Sequence, residues 1–135
     1  DIQVLANYIY GLPGDTIQSI ENTFKLSQKL NTLGWNTYAA MALPGSQLYK
    51  DAMDNGIDLP NKYSEFSFHS YDTKPLPTDT LKAGEVLKIR DEHFIKYFSD
   101  KNFQKKIFSK FGQAAVDNIN QMLKVKLKRK IIEEL

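Results

Sequence analysis

Asn7-Tyr8-Ile9-Tyr10-Gly11-Leu12-Pro13-Gly14-Asp15-Thr16 is the stretch whose reading decides the fold of this 135-residue chain. The nearly continuous apolar run from Ile2 to Tyr10 reads as a strand buried on both faces. Gly11 to Gly14 breaks it, and Asp15 or Thr16 is suited to accept hydrogen bonds from the free N–H groups of a new helix. Ile17, Ile20, Phe24, Leu26, Leu30 and Leu33 recur near the helical period, and Gly34 marks the end of that helix. Trp35 to Leu43 reads as a second buried strand, so the order predicts a βαβ unit with parallel strands and a right-handed crossover. A second corner, Leu43-Pro44-Gly45-Ser46-Gln47-Leu48-Tyr49, stands at the matching place, with Ser46 as the cap of a short helix that Gly56 closes.

Beyond Gly56 the pattern changes. Residues 57–77 read as extended, with Tyr63, Phe66, Phe68 and Tyr71 among polar neighbours before Pro75 and Pro77. Asp or Thr within Thr78 to Thr80 opens a third helix ending near Phe98. Ser99 or Asp100 caps a fourth, with Phe103, Ile107 and Phe111 on one face before Gly112. Val116, Ile119, Leu123, Leu127 and Ile131 stripe a fifth. The division is therefore an α/β segment over 1–77 and a helical region over 78–135.

Composition narrows the chemistry. No apolar run reaches the ~20 residues of a membrane span and no secretory signal opens the chain, so a cytoplasmic protein is expected. The chain has no cysteine, which excludes a thiol nucleophile, a disulfide framework and any cysteine-held zinc or iron–sulfur site within it. Two histidines, His69 and His93, are too few for an ordinary transition-metal site. Residues 1–72 carry a net −4 and residues 73–135 a net +6. The lysines of the second half are spread over helix faces without interleaved aromatics, so solvated faces explain them better than nucleic acid does.

Strand-to-helix corners are where ligands bind α/β proteins, and free N–H groups at a glycine turn favour an anionic or strongly polar group. Gly11-Leu12-Pro13-Gly14 is not a Walker loop, since no Lys-Ser/Thr follows, and it does not fit the dinucleotide fingerprint. Gly11 and Gly14 also have a purely structural reading, as the residues that permit a tight turn. Two strands are few for a parallel sheet, which needs cover on both faces. The expectation is the C-terminal portion of a larger α/β protein, with a homo-oligomer completing the sheet as the alternative.

Tyr8-Ile9-Tyr10-Gly11-Leu12-Pro13-Gly14-Asp15-Thr16 resembles the fifth-strand segment of radical S-adenosylmethionine (radical SAM) enzymes, where Gly-Leu-Pro-Gly-Glu-Thr is common. Leu43-Pro44-Gly45-Ser46-Gln47-Leu48-Tyr49 looks like the Pro-Gly-Thr-x-Leu-Tyr that follows their sixth strand. Val86 to Glu92, Phe111-Gly112 and Leu127 to Lys130 resemble the C-terminal region of the subgroup with an N-terminal cobalamin-binding domain. The resemblance implies the C-terminal part of a (β/α) barrel with a helical tail and S-adenosylmethionine across the strand C-termini. It places Ile9 on the adenine, Asn7, Gly11, Leu12 and Pro13 in the rest of the adenosine motif, and Ala42 and Leu43 beside the same ring. It implies no catalytic or metal-ligating residue in this chain. A [4Fe-4S] cluster, and any cobalamin, would be held by residues outside it, because the Cys-x-x-x-Cys-x-x-Cys motif is absent.

Two departures matter: Gly14 stands where many members have an acid, with Asp15 one place later, and without the cluster the chain alone is expected to be inactive. The remainder of the barrel and an unidentified small-molecule substrate are the implied partners, with no membrane. Tyr63, Phe66, Phe68, His69 and Tyr71 read as packing against the barrel or, alternatively, as a substrate- or cobalamin-facing surface. His93 reads as a structural residue, and Asp91 and Glu92 as solvated or paired with Lys88 or Lys96. The rival function is a non-catalytic helical interaction module that binds an acidic partner through its basic C-terminal helices.

Overall fold

β1 (Leu5–Tyr10) and β2 (Gly34–Ala39) pair in parallel in the computed structural model, which describes residues 2–135. α1 (Ile17–Leu30) connects them, giving the βαβ unit that the sequence predicts. Thr16 caps α1: its hydroxyl accepts the Ser19 N–H at 3.2 Å, while Ser19 Oγ accepts the Thr16 N–H at 2.9 Å. The helix ends at Asn31, not Gly34. Asn31 takes the left-handed conformation (φ 44°), which asparagine tolerates better than other side chains. Lys106 Nζ donates to the Asn31 carbonyl, and to the Thr32 carbonyl at 2.6 Å, covering that helix end. Gly34 instead opens β2, where an added Cβ would lie 2.5 Å from Leu5 Cδ2.

Both strands are shorter than their apolar runs, and helices cover only one face of the sheet, the other carrying just the edge-on contact of Phe68 with Tyr38. Side chains alternate across a strand, so Tyr8, Tyr10, Trp35 and Ala39 face the helices while Leu5, Asn7, Ile9, Asn36 and Tyr38 face outward. Leu5 is 64% exposed, Ile9 52% and Tyr38 45%. This corrects the reading of strands buried on both faces. The sequence signal for the open face is the polar Asn7 and Asn36, one in each strand and opposite each other in register.

α3 (Ala83–Phe98) completes the inner layer. Its Val86, Leu87 and Tyr97 join Tyr10, Ile20, Phe24 and Trp35 in the main core. Trp35 stacks on Tyr97 with ring centres 5.4 Å apart and donates its indole N–H to Ser27 Oγ at 3.0 Å. α3 starts later than the Thr78–Thr80 signal, because Thr78 Oγ1 closes a preceding turn by accepting from Leu81 N–H at 3.0 Å. α4 (Lys101–Phe111), capped by Asp100, and α5 (Gln113–Leu123) pack on each other, with Phe103, Ile107 and Val116 buried and Phe111 exposed. This core spans the two regions that the sequence divides at residue 77.

α2 (Gln47–Asp54) is capped by Ser46, whose hydroxyl accepts the Tyr49 N–H at 3.1 Å, and Ala42, Ala52 and Leu76 form a second small core beneath it. The 57–77 segment is not uniformly extended: Tyr63–Phe66 form one 3-10 turn. The predicted fifth helical stripe also fails. α5 stops at Leu123, and α6 is only Lys130–Glu133. Between them Leu127 is exposed and Arg129 is 2% exposed, the reverse of a helical stripe through Leu127.

Arg129 is drawn inward by polar partners. Its Nε donates to Asp91 Oδ2 at 3.2 Å, and its Nη1 donates to the Phe68 carbonyl at 2.6 Å. Arg90, also buried, donates from Nη1 to Asp91 Oδ1 at 2.9 Å, so one carboxylate holds two guanidiniums. The partners of Asp91 are therefore arginines, not the lysines that helical spacing suggests. Arg90 lies 4.5 Å from the Phe68 ring centre and 5.1 Å from that of Phe94, a cation–π arrangement worth about 0.5–2 kcal/mol.

Arg90 also seals an edge. Backbone groups alternate in direction along a strand, which sends the Thr37 carbonyl away from β1. Arg90 Nε donates to that carbonyl at 2.7 Å, and Leu76 N–H donates to Ala40 O at 2.8 Å just past the strand. The outer edge of β2 is thus met at two carbonyls, Thr37 and Ala40. β1 pairs with no strand other than β2 among the described residues, so its outer edge is open.

Candidate functional site

Parallel pairing puts the C-terminal ends of both strands, and hence both glycine corners, at one end of the sheet. On the open face, register sets Asn7 opposite Asn36 and Ile9 opposite Tyr38. Asn36 Nδ2 donates to Asn7 Oδ1 at 3.2 Å. That bond leaves the Asn7 amide nitrogen and the Asn36 carbonyl oxygen available as a neighbouring donor and acceptor. The layer nearer the corners is Ile9 and Tyr38, a half-exposed aliphatic surface beside a half-exposed ring.

The first corner is closed on itself. Gly11 N–H donates to Asp15 Oδ2 at 2.9 Å, and Ser19 Oγ donates to Asp15 Oδ1 at 2.6 Å. The turn therefore holds its own carboxylate, and the Gly11 N–H, one of the groups expected to favour an anion, is already occupied. Gly11 is buried at φ 79°, and a Cβ there would stand 2.7 Å from Val86 Cγ1, so α3 packs directly on the turn. Leu12 and Pro13 are exposed; Pro13 helps to line a cavity of about 300 Å³ with Leu48, Ala52, Leu76, Pro77 and Asp79.

At the second corner Leu43 is exposed, whereas Ala42 is buried between Ala52 and Leu76, leaving no side-chain surface of Ala42 for a ligand. Of the residues assigned through the family resemblance, Asn7 and Ile9 stand together on the open face, Leu12, Pro13 and Leu43 lie exposed after the strand ends, and Gly11 and Ala42 are internal. Asn36 and Tyr38 share the face with Asn7 and Ile9 and were not singled out by the sequence. Their alternation with Trp35, Thr37 and Ala39 was the available signal.

Behind the sheet, His93 is fully buried. Its Nδ1 lies 3.1 Å from the Tyr10 hydroxyl and its Nε2 lies 3.0 Å from Glu21 Oε1, while its ring stacks on Phe24 at 3.9 Å. An ionised carboxylate only accepts, which puts the ring proton on Nε2 and makes Tyr10 the donor to Nδ1. Burial pushes the imidazole below its ordinary value, against the opposing pull of Glu21. Burial, and then the Glu21 charge, push the Tyr10 phenol well above its ordinary value, so it keeps its proton. This chain of bonds ties α1, β1 and α3 together, in keeping with the structural reading of His93.

Among the described residues no helix is long and apolar enough to cross a membrane, and no cluster of three or more His, Cys, Asp or Glu side chains is arranged to hold a metal ion. Comparison with protein-family models, curated proteins and solved structures finds no match to this chain.

Proposed function

We propose that the open sheet face is one wall of a nucleoside site in a (β/α) barrel of the radical SAM kind, of which this chain forms the last two strands and the helical tail. The observation that carries the reading is the asymmetry of the sheet. β2 is finished at its outer edge by Arg90 and Leu76, while β1 keeps an open edge and both strands keep an open face. The terminal pair of strands in a barrel that does not close has that form: finished after the last strand, open toward the strands before, and uncovered toward the lumen.

In this reading Ile9 supplies apolar surface to an adenine ring, and Asn7 with Asn36 offers one donor and one acceptor beside it. The carboxylate of Asp15 at the first corner disfavours a phosphate or carboxylate there and leaves a neutral nucleoside as the better fit. The iron–sulfur cluster of such an enzyme supplies the electron that cleaves S-adenosylmethionine; with no cysteine in the chain, its ligands lie elsewhere. The reaction class is a radical-based methylation or rearrangement at an unactivated carbon, and the chain alone is inert.

Titration of the ¹⁵N-labelled protein with 5′-deoxyadenosine tests the site. Saturable amide shifts at Ile9 and Gly11, lost in Ile9→Asp, are expected; they should be weak, because one wall provides part of the contact area. Unmoved resonances at both positions up to the solubility limit of the nucleoside overturn the reading.

A further inference from the structure

A concave apolar groove of about 310 Å³ lies between α3 and the segment that follows α5. Phe94 and Ile95 form one wall and Val125 and Leu127 the other, with Lys88 and Lys126 beside them. Ile95, Val125 and Leu127 are all exposed. Lys124, Lys126 and Lys128 alternate with Val125 and Leu127, a period-2 pattern that a helix cannot use and an extended chain can. Backbone hydrogen bonding stops at Val125 N–H, which reaches Met122 O, and resumes at Lys130 N–H with Tyr71 O. The amides of Lys126, Leu127 and Lys128 have no backbone partner among the described residues.

Charge on this surface is uncompensated. Lys88, Lys124, Lys126 and Lys128 are in no ion pair among the described residues. Of the two acids in the lining, Asp91 is committed to Arg90 and Arg129, which leaves Glu92 alone against Lys88 and Lys126, with Lys124 and Lys128 adjacent in the chain.

We propose that this groove docks an extended peptide segment in which acidic and apolar residues alternate, laid alongside residues 125–128. Its backbone meets the alternate amides that one edge of this stretch presents, its apolar side chains fill the groove and its carboxylates meet the lysines, as in strand addition to an exposed edge. A membrane surface fits less well, because a bilayer cannot enter a concavity. Nucleic acid fits less well because carboxylates sit in the lining and its one phenyl ring, Phe94, is half-buried, which leaves only His69 as an open ring for stacking. The proposal is independent of the nucleoside site.

Fluorescence anisotropy with a labelled peptide of alternating Glu and Leu tests it, using the whole chain. Saturable binding that weakens with salt is expected, with loss of at least about tenfold in Leu127→Asp. Lys126→Glu should weaken binding as well, and both variants alter exposed residues, so an unchanged circular dichroism spectrum is the control for folding. Absence of saturable binding, equal binding by wild type and variants, or stronger association with phosphatidylserine vesicles or oligouridine than with the peptide overturns the proposal.

Discussion

Gly11 answers to two constraints that act through different parts of the residue. Its φ of 79° strains any L side chain, and Val86 Cγ1 occupies the place of a Cβ at 2.7 Å. Gly14 has a similar φ of 84° with nothing within 4 Å. Gly11→Ala should therefore cost about 2–4 kcal/mol and Gly14→Ala about 1–2 kcal/mol, since only the first adds overpacking to backbone strain. Urea unfolding of the two variants measures the difference, and equal losses contradict the packing described. His93 gives a second residue-level expectation. Its imidazole is held below its ordinary value in the fold, so below about pH 6.5 the unfolded chain binds a proton that the folded protein does not. Stability then falls as pH drops from there toward the folded-state value, and is unaffected by this group above it. Unfolding curves of wild type and His93→Gln at about pH 7.5 and 5.5 should show a smaller acid loss in the variant, by at most about 1.4 kcal/mol; identical losses contradict it.

At the scale of elements, Asp91 joins what the sequence keeps far apart. Arg90, Asp91 and Arg129 lie in two separated motifs, and the carboxylate brings α3 and the chain before α6 onto Phe68. Asp91→Ala leaves two buried guanidiniums without their shared anion and should destabilise the fold by about 3 kcal/mol. Thermal unfolding of that variant beside Glu92→Ala, expected within about 0.5 kcal/mol of wild type, is the check. The same cluster shows where sequence reading ends. The strand–helix–strand order, the Thr16, Ser46 and Asp100 caps and the Phe98 helix end are local signals, and the chain obeys them. The inward turn of Arg129 is not local. It depends on a carboxylate 38 positions away and on the Phe68 carbonyl, 61 positions away, and no hydrophobic period encodes such partners. Asn31 shows a lesser miss of the same kind: a glycine three residues later draws the eye, while asparagine with Lys106 over its carbonyl ends the helix.

For the whole molecule, the informative property is a sheet finished on one side and unfinished on the other. Asn7 and Ile9 enter as site candidates only through the family resemblance of their segment; Asn36 and Tyr38 lie outside its motifs, and which face of a strand stays open depends on how the helices pack. The helical cover of the sheet in the described residues comes from one face, through α1 and α3; on the other, Phe68 meets the Tyr38 ring edge-on at 5.6 Å while Leu5, Ile9 and Tyr38 remain exposed. On the proposed function, strands preceding β1 pair with its open edge and close over those side chains, and the cluster's cysteines lie among them. The measurement that tests this most directly is the DNA sequence upstream of the codon for Asp1. The account predicts a continuous reading frame that encodes Cys-x-x-x-Cys-x-x-Cys on an earlier strand-to-helix corner. An in-frame stop codon followed by a start immediately before Asp1 would contradict it.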